Sequence, residues 1–303
     1  MSEASLDERA LGAILGAAIA DALGAPVEFD LPATRIAQYG LVRELMPSYQ
    51  GPAGSWTDDT QMVVCIMEAV RKAGKLDLDA IAAEFVTWFD SSPPDIGLQT
   101  REVCALAWRG MPMMDASRKV WEDSGKAAAG NGSVMRSGPV AVYCHKLDDW
   151  RPWSRQVSAL THWDPRCQDC CALVDGVLIK LFRGEEVSFE TIAALAEGLD
   201  ESVVEAVSTL PRLGLDDLQG GGYVIDTTLM ALWALLSFDD FEEGVATTVT
   251  YAYDADTVGA VAGCLLGAKY GLEGIPRRWL QQLQQTELLE AGVAALLAAA
   301  PCA

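Results

Sequence analysis

The sequence is poor in histidine and in basic residues. Its 303 residues include two histidines, His145 and His162, and 22 lysines and arginines against 43 acidic residues, for a formal net charge of −21. A metal site with several histidines is therefore excluded, and a serine–histidine–acid triad would need one of these two rings. The acidic balance disfavours coating of nucleic acid or anionic lipid, because both are negatively charged. Any metal is expected to have oxygen ligands.

Strand patterns and linkers are also nearly absent. Apolar residues recur at helical spacing from end to end, and no stretch rich in proline and serine divides the chain. The length and the 50% hydrophobic content suit one large domain or two merged halves. The periodicity predicts helices over 6–24, 59–73, 77–90, 97–109, 134–146, 152–161, 167–183, 188–197, 201–209, 224–237, 240–251, 257–270 and 286–299.

The first apolar run is too short for a membrane span. It extends from Leu11 to Ala20 and is preceded by acidic residues, which argues against a signal peptide or an anchor. The eight cysteines lie mostly in apolar segments with helical periodicity, as reduced cytoplasmic thiols do. Cys167, Cys170 and Cys171 suggest zinc or redox chemistry only weakly, because no second ligand pair accompanies them. We expect a cytoplasmic protein.

Small residues recur every four positions on two predicted helices. One stripe consists of Gly12, Gly16, Ala20 and Gly24, and the other of Gly259, Gly263, Gly267 and Gly271. An interior glycine destabilises a helix by about 1 kcal/mol relative to alanine, so a repeated stripe indicates very close helix packing. We expect both helices to lie in the core near the functional site.

Two clusters of carboxylates and threonines each precede an apolar helix. The first covers residues 57–60 (TDDT) and the second, about 200 residues later, covers residues 254–257 (DADT). Each cluster alone suits helix capping, since Asp and Thr are favoured at helix N-termini. Together the two clusters place more negative charge beside apolar sequence than helix capping requires. This excess of like charge indicates a bound cation. Their oxygens are ligands for Mg²⁺, Mn²⁺ or Ca²⁺, and two facing clusters would suit a two-metal centre.

Five motifs, in order, resemble those of the ADP-ribosylglycohydrolase family. They are ADALGAPVEF at 20–29, WTDDTQM at 56–62, GNGSVMR at 130–136, THWDPRC at 161–167 and DADTVGAVAGCLLGAKYG from 254. The resemblance extends over about residues 8–276. It implies a single domain over 1–303 with an all-α fold, a compact orthogonal multi-helix bundle. It also implies hydrolysis of the bond that joins ADP-ribose to a modified group.

The resemblance assigns metal-binding and catalytic roles. Two divalent cations, Mg²⁺ or Mn²⁺, would be held by Thr57, Asp58, Asp59, Asp254, Asp256 and Thr257. Glu28 matches a glutamate that is catalytic in some members, and Asp95 matches an aspartate beside the metals in the bacterial branch. The alternatives are a solvent-facing loop acid for Glu28 and a helix cap for Asp95.

The resemblance also assigns contacts to the ligand. The expected diphosphate contacts are Gly130, Asn131, Gly132 and Ser133, where glycines let backbone N–H groups approach a phosphate. A plain turn is the alternative for this stretch. Arg136 would add charge there or form a structural salt bridge.

Two further residues are expected at the ADP-ribose pocket. His162 is assigned to it by the resemblance, and a loop or core histidine tied to Asp164 is the alternative. Tyr223 is similar to an aromatic residue that packs on bound ADP-ribose, and a core tyrosine is the alternative.

The chain departs from the family pattern beside the second cluster. Ala252 and Tyr253 stand where one or two glycines are common, and Ala20 stands where glycine is usual before Asp21. These changes bear on the shape of the cleft rather than on the ligand oxygens, since Tyr253 adds bulk and removes backbone freedom.

The expected function is reversal of mono-ADP-ribosylation, with arginine as the favoured acceptor. The rivals are a pseudoenzyme that binds ADP-ribose, a hydrolase of a serine or nucleobase adduct, and a phosphate-ester hydrolase. The expected partner is an ADP-ribosylated protein or a small ADP-ribose adduct. We expect a monomer without membrane insertion.

Overall fold

The computed structural model describes residues 4–301, and this range is helical without a β-strand. The all-α prediction is confirmed. The α-helices are α1 Leu6–Gly24, α2 Pro32–Tyr39, α3 Asp58–Ala73, α4 Leu78–Asp90, α5 Leu98–Trp108, α6 Met113–Asp123, α7 Gly138–Cys144, α8 Arg151–Ala159, α9 Pro165–Phe182, α10 Phe189–Ala196, α11 Glu201–Thr209, α12 Val224–Ser237, α13 Phe241–Tyr251, α14 Ala255–Tyr270, α15 Arg277–Gln282 and α16 Thr286–Ala299.

The periodicity misses three helices, α2, α6 and α15, and predicts α7 too long. The buried face of α6 includes the small residues Ala116 and Ser117, which weaken its apolar stripe. Both α2 and α15 are short and begin at or directly after a proline. The helix predicted over 134–146 begins at Gly138, because Pro139 fits the first turn of a helix but would break its interior.

The two glycine stripes bring the backbones of α1 and α14 into contact. A Cβ atom on Gly16 would lie 2.5 Å from the carbonyl oxygen of Gly263, and one on Gly267 would lie 1.9 Å from that of Gly12. At the other end of the contact, a Cβ on Gly24 would lie 2.4 Å from the backbone nitrogen of Asp256. Both helices lie in the core, as the stripes predict, and α14 begins beside the end of α1.

The first helix owes its apolar sequence to this central position. With the turn that follows it, Leu6–Val27 is long and apolar enough by length and composition to cross a membrane, yet 89% of the most apolar window is buried within the protein. Such a helix is expected in the core of a large α-helical domain, where other helices surround it.

The described cysteines are free and buried. Burial raises the pKa of each of these thiols. Thiols of this kind are inert rather than reactive. Within residues 4–301, Cys167, Cys170 and Cys171 join no group of potential metal ligands, and they pack in α9 as apolar residues.

The close contact predicts a sharp intolerance of α14 to added volume. In Gly267→Ala the new methyl group would overlap the Gly12 carbonyl, so the helices must separate. We expect the free energy of unfolding to fall by about 3 kcal/mol or more, measured by urea denaturation. Gly214→Ala is the matched control, since its nearest neighbour would be 3.6 Å away. Equal stability of the two variants would contradict the packing.

Candidate active site

A cavity of about 560 Å³ lies where α3, α5 and α14 begin. Its volume is typical of a small-molecule site. Each of the five sequence motifs contributes to its lining. The lining includes Glu28, Phe29, Asp58, Asp59, Asp95, Gln99, Thr100, Gly130, Asn131, Gly132, His162, Gly222, Tyr253, Asp254, Asp256 and Thr257.

The two carboxylate clusters meet at this cavity. The hydroxyl of Thr257 donates to Asp59 Oδ2 at 3.3 Å, across 198 residues of sequence, and the hydroxyl of Thr57 donates to the same oxygen at 3.1 Å. The other oxygen, Asp59 Oδ1, is buried without a hydrogen-bond partner in the described part of the chain. A buried carboxylate oxygen without a donor is costly, so this atom is poised to take a ligand.

Asp21 holds the start of α3, a role that the sequence analysis misses. It lies in α1, is fully buried, and accepts the backbone N–H groups of Thr57 and Thr60 at 3.0–3.1 Å and the Thr60 hydroxyl at 2.5 Å. These bonds add to the local cap from Thr57 and satisfy backbone N–H groups of the first turn that this cap leaves free. The available signal is a charged residue inside an otherwise apolar helix.

Glu28 and Asp95 come together with one residue of the second cluster. Carboxylate oxygens of Glu28, Asp95 and Asp256 all lie within 4.8 Å of one another. The Tyr49 hydroxyl donates to Asp95 at 2.6 Å and lies 3.4 Å from Glu28. Tyr49, on the loop before α3, is a second residue that sequence reasoning misses, since nothing local marks this exposed tyrosine.

Burial and mutual repulsion hold protons on several of these acids. Burial, followed by the charges of Asp254 and Asp95, raises the pKa of Glu28 to about 8. Burial and the charges of Asp95 and Asp21 raise the pKa of Asp58 to about 7. The pKa values of Asp59 and Asp256 are raised well above the usual range for the same two reasons. Close carboxylates cannot all ionise in a buried site without compensation.

The cavity therefore fits a divalent cation. Among the described residues that line it, none is lysine or arginine, so no side chain of the lining neutralises the acids. Threonine hydroxyls and carboxylates are hard oxygen donors of the kind that Mg²⁺ and Mn²⁺ prefer. The unpartnered Asp59 oxygen and the close group of Glu28, Asp95 and Asp256 offer suitable ligand atoms.

The glycine-rich stretch before α7 borders the same cavity. The Asn131 amide donates to Asp254 Oδ2 at 2.9 Å and to the Thr227 hydroxyl at 3.0 Å, which ties this stretch to the second cluster. The Ser133 hydroxyl accepts from Ser158 at 2.9 Å in the interior, so its side chain faces away from the cavity. A contact from Ser133 to a ligand would have to use its backbone.

Arg136 is a buried support for the stretch and forms no salt bridge among the described residues. Its guanidinium donates to the Gly132 carbonyl and, at 2.6 Å, to the Thr161 hydroxyl, and it stacks 4.8 Å from the Phe85 ring centroid. Burial lowers its pKa to about 10, so it remains charged at neutral pH. The alternative of a structural salt bridge is wrong, because the partners are a carbonyl, a hydroxyl and a ring.

His162 lies in the cavity wall as a neutral ring. Burial and the charge of Arg136 lower its pKa to about 3. Its Nδ1 lies 2.8 Å from the Thr161 hydroxyl, which already accepts from Arg136 and can donate to this nitrogen. That assignment leaves the proton on Nε2, which faces Gly130 and Gly132. Asp164 instead accepts from Arg166 and Trp121, so the predicted tie between His162 and Asp164 is absent.

Tyr223 lies outside the residues that line the cavity. Its backbone pairs with Gly130, and its half-exposed ring stacks under the Arg166 guanidinium at 5.7 Å. The alternative of a core tyrosine is wrong because the ring is exposed. Packing on ADP-ribose stays a prediction.

Known proteins share this fold and this set of motifs. A model of the ADP-ribosylglycohydrolase family matches residues 2–302. The chain belongs to the ADP-ribosylglycohydrolase family, a group of enzymes that cleave glycosidic bonds of ADP-ribose.

Named relatives and a solved structure agree with this placement. The chain is 32% identical to the ADP-ribosyl-[dinitrogen reductase] glycohydrolase of Rhodospirillum rubrum, over 93% of this chain and 92% of the relative. It is 30% identical to the ADP-ribosylarginine hydrolase Tri1 of Pseudomonas putida, over 95% of this chain and 77% of the relative. The solved structure of an ADP-ribosylglycohydrolase-related protein complex superposes with a TM-score of 0.83 and 32% identity, over 99% of this chain and 100% of that chain.

The raised pKa values predict how the metal-free protein responds to pH. Glu28 and Asp58 hold protons in the folded state up to about pH 8 and about pH 7, whereas the unfolded chain loses them near 4.5 and 3.8. The folded state thus binds more protons between these limits, and the free energy of unfolding should fall as pH rises through them. Melting temperatures measured in a chelator across this range test the expectation.

The matched control is the same titration with excess Mn²⁺. A bound cation takes the place of the protons, so the fall with pH should be smaller and the protein more stable at pH 8. A melting temperature that rises with pH in the chelator, or that Mn²⁺ does not change, would contradict the expectation.

Proposed function

We propose that this protein is a metal-dependent hydrolase that reverses mono-ADP-ribosylation by cleaving the bond between ADP-ribose and a modified side chain, with arginine as the favoured acceptor. The observation that carries the proposal is the meeting of the two aspartate–threonine clusters at one cavity in a chain that matches the family from end to end. The names of the two relatives favour arginine or a modified protein as substrate.

We propose two cations, Mg²⁺ or Mn²⁺, as the cofactors. Their ligands would come from the two clusters, Thr57, Asp58, Asp59, Asp254, Asp256 and Thr257. When bound, such cations supply positive charge that orients ribose hydroxyls and favours ionisation of water.

The residues around the proposed centre suit a glycosidic cleavage. Glu28 lies beside Asp95 and Asp256 at the proposed centre, and as a general acid it would donate a proton to the departing nitrogen or oxygen. Asp95, oriented by the Tyr49 hydroxyl, can accept a proton from the attacking water. The transition state carries positive charge on the ribose, and the surrounding carboxylates stabilise that charge. Backbone N–H groups near Gly132 and the Nε2 proton of His162 would donate to the diphosphate, and the closeness of His162 Nε2 to Gly130 and Gly132 supports this.

We also propose that the chain forms one domain and acts in the cytoplasm as a monomer. The contact of α1 with α14 supports one domain, because it joins the first helix to the last quarter of the chain. The buried free thiols are typical of a reducing compartment.

The metal assignment predicts the effect of Asp58→Asn and Asp256→Asn. Each removes a charged ligand, so release of ADP-ribose from ADP-ribosyl-arginine should fall by about 10³-fold or more, while the helical circular dichroism is kept. ADP-ribosyl-serine and ADP-ribosylated DNA, assayed in parallel with Mg²⁺ or Mn²⁺, identify the linkage. Asp216→Asn, at an exposed acid that does not line the cavity, is the control. Full turnover by either site variant would refute the assignment.

The proton-transfer roles predict different outcomes for Glu28→Gln and Asp95→Asn. Glutamine cannot donate the proton, so kcat should fall by about 10²–10⁴-fold with KM little changed. A substrate with a good leaving group, such as a nitrophenyl adduct, needs no such proton and should restore turnover in Glu28→Gln alone. Equal restoration of turnover in Asp95→Asn would contradict the assignment of separate acid and base roles to Glu28 and Asp95.

A further inference from the structure

Two aromatic rings stand exposed at the rim of the cavity. Phe29 and Tyr253 both line it, and their rings are packed 5.5 Å apart at an angle of 48°. Phe29 is 56% exposed and Tyr253 is 44% exposed, so burial in the core does not explain either ring. Large apolar side chains that line a cavity and face solvent commonly contact a ligand.

The backbone at Phe29 is strained, and a hydrogen bond holds it in place. Phe29 has φ of 61°, a left-handed conformation that a bulky residue rarely adopts. Its N–H donates to the Tyr253 carbonyl at 2.9 Å, which locks the two residues together. Strained residues of this kind persist where the surroundings fix them, and they cluster at functional sites.

A fully buried arginine supplies that fixation. Arg35 is fully buried, and its guanidinium has hydrogen-bond partners on the Phe29 loop, on the Tyr253 loop and at the end of α13. It donates to the carbonyl oxygens of Val27, Asp30, Val249, Thr250, Ala252 and Tyr253. Burying a cation is costly unless its donors are satisfied, so the network fixes both loops in one arrangement.

The pair lies beside one proton-transfer acid and one metal ligand of the proposed function. Phe29 directly follows Glu28, and Tyr253 directly precedes Asp254. The candidate diphosphate contacts at Gly130 and Gly132 belong to a different loop, which packs on His162. The rings therefore border the part of the cavity that carries Glu28 and Asp254, where the proposed function puts the scissile bond and its leaving group.

We propose that Phe29 and Tyr253 form a binding wall for the leaving group and select a guanidinium, as in arginine, over a small hydroxyl, as in serine. The inference rests on the proposed function. A guanidinium is planar and cationic, and it stacks on the faces of aromatic rings. A serine hydroxyl offers neither a flat face nor a charge, and it gains little from the wall.

Leaving-group kinetics test the wall. In Phe29→Ala and Tyr253→Ala, kcat/KM for ADP-ribosyl-arginine should fall about tenfold, mostly through KM. The value for ADP-ribosyl-serine and the Kd of free ADP-ribose should change by less than about twofold. Tyr253→Phe keeps the ring and should keep the preference for the arginine adduct over the serine adduct. Tyr39→Ala, at an exposed aromatic residue that does not line the cavity, is the matched control.

One further variant separates the ring from the loop conformation. Glycine adopts positive φ without strain, so Phe29→Gly should melt no earlier than the unchanged protein and still lose the preference for arginine. Equal loss on both adducts and on free ADP-ribose would overturn the inference, because the wall would then serve the shared half of the substrate. Unchanged kinetics in both alanine variants would overturn it too.

The same variants distinguish failure of the wall from failure of the proposed function. If the unchanged protein cleaves no adduct, the proposed function fails, and calorimetric binding then decides the inference. Tighter binding of ADP-ribosyl-arginine than of ADP-ribose, lost in Tyr253→Ala, supports the wall. Equal affinity for the two ligands overturns it.

Discussion

The rest of the structure depends on the contact between the backbones of α1 and α14. At Gly12, Gly16, Gly263 and Gly267 the helices approach until a single methyl group would overlap a carbonyl oxygen of the other helix. Glycine in a helix interior is unfavourable by about 1 kcal/mol, so the glycines lower the intrinsic stability of both helices. In exchange, the close contact fixes the position of one helix relative to the other. It places the start of α14 beside the end of α1, and with it the second acid cluster beside Glu28. Two motifs at opposite ends of the chain thereby share one cavity.

Two buried arginines complement this contact at the loops. Arg35 binds the loops that carry Glu28 and Asp254, and Arg136 binds the Gly132 carbonyl. Neither forms a salt bridge with an acid in the described range, and each satisfies its donors mainly on carbonyl and hydroxyl oxygens. This choice leaves the acids of the cavity uncompensated by protein cations. Their charge is then available for a ligand, whereas an arginine within the cavity would neutralise it and fill the space.

Local patterns in the sequence predict the helices and the two acid clusters, because periodicity, capping preferences and motif spacing are local properties. The same reasoning does not find Asp21, Tyr49 or Arg35. Asp21 reads as an isolated acid in an apolar helix, and its four hydrogen bonds go to residues 36 to 39 positions away. Arg35 lies in a short helix that the periodicity misses, and it reaches carbonyls more than 210 positions away. Such contacts exist only once the helices have packed. The turned-away Ser133 hydroxyl has the same cause, since its partner Ser158 belongs to another helix.

Asp21 also explains why the first cluster contains more oxygens than a helix start needs. The N–H groups of Thr57 and Thr60 and the Thr60 hydroxyl are satisfied by Asp21, from a different helix. Thr57 supplies the local cap, accepting from the Asp59 N–H at 3.3 Å. The carboxylates of Asp58 and Asp59 are thus released from capping, and both line the cavity. A helix start that caps itself with its own acids would turn them towards its backbone. Here a buried acid from α1 takes over that work, so the same short stretch can begin a helix and present two carboxylates to a ligand.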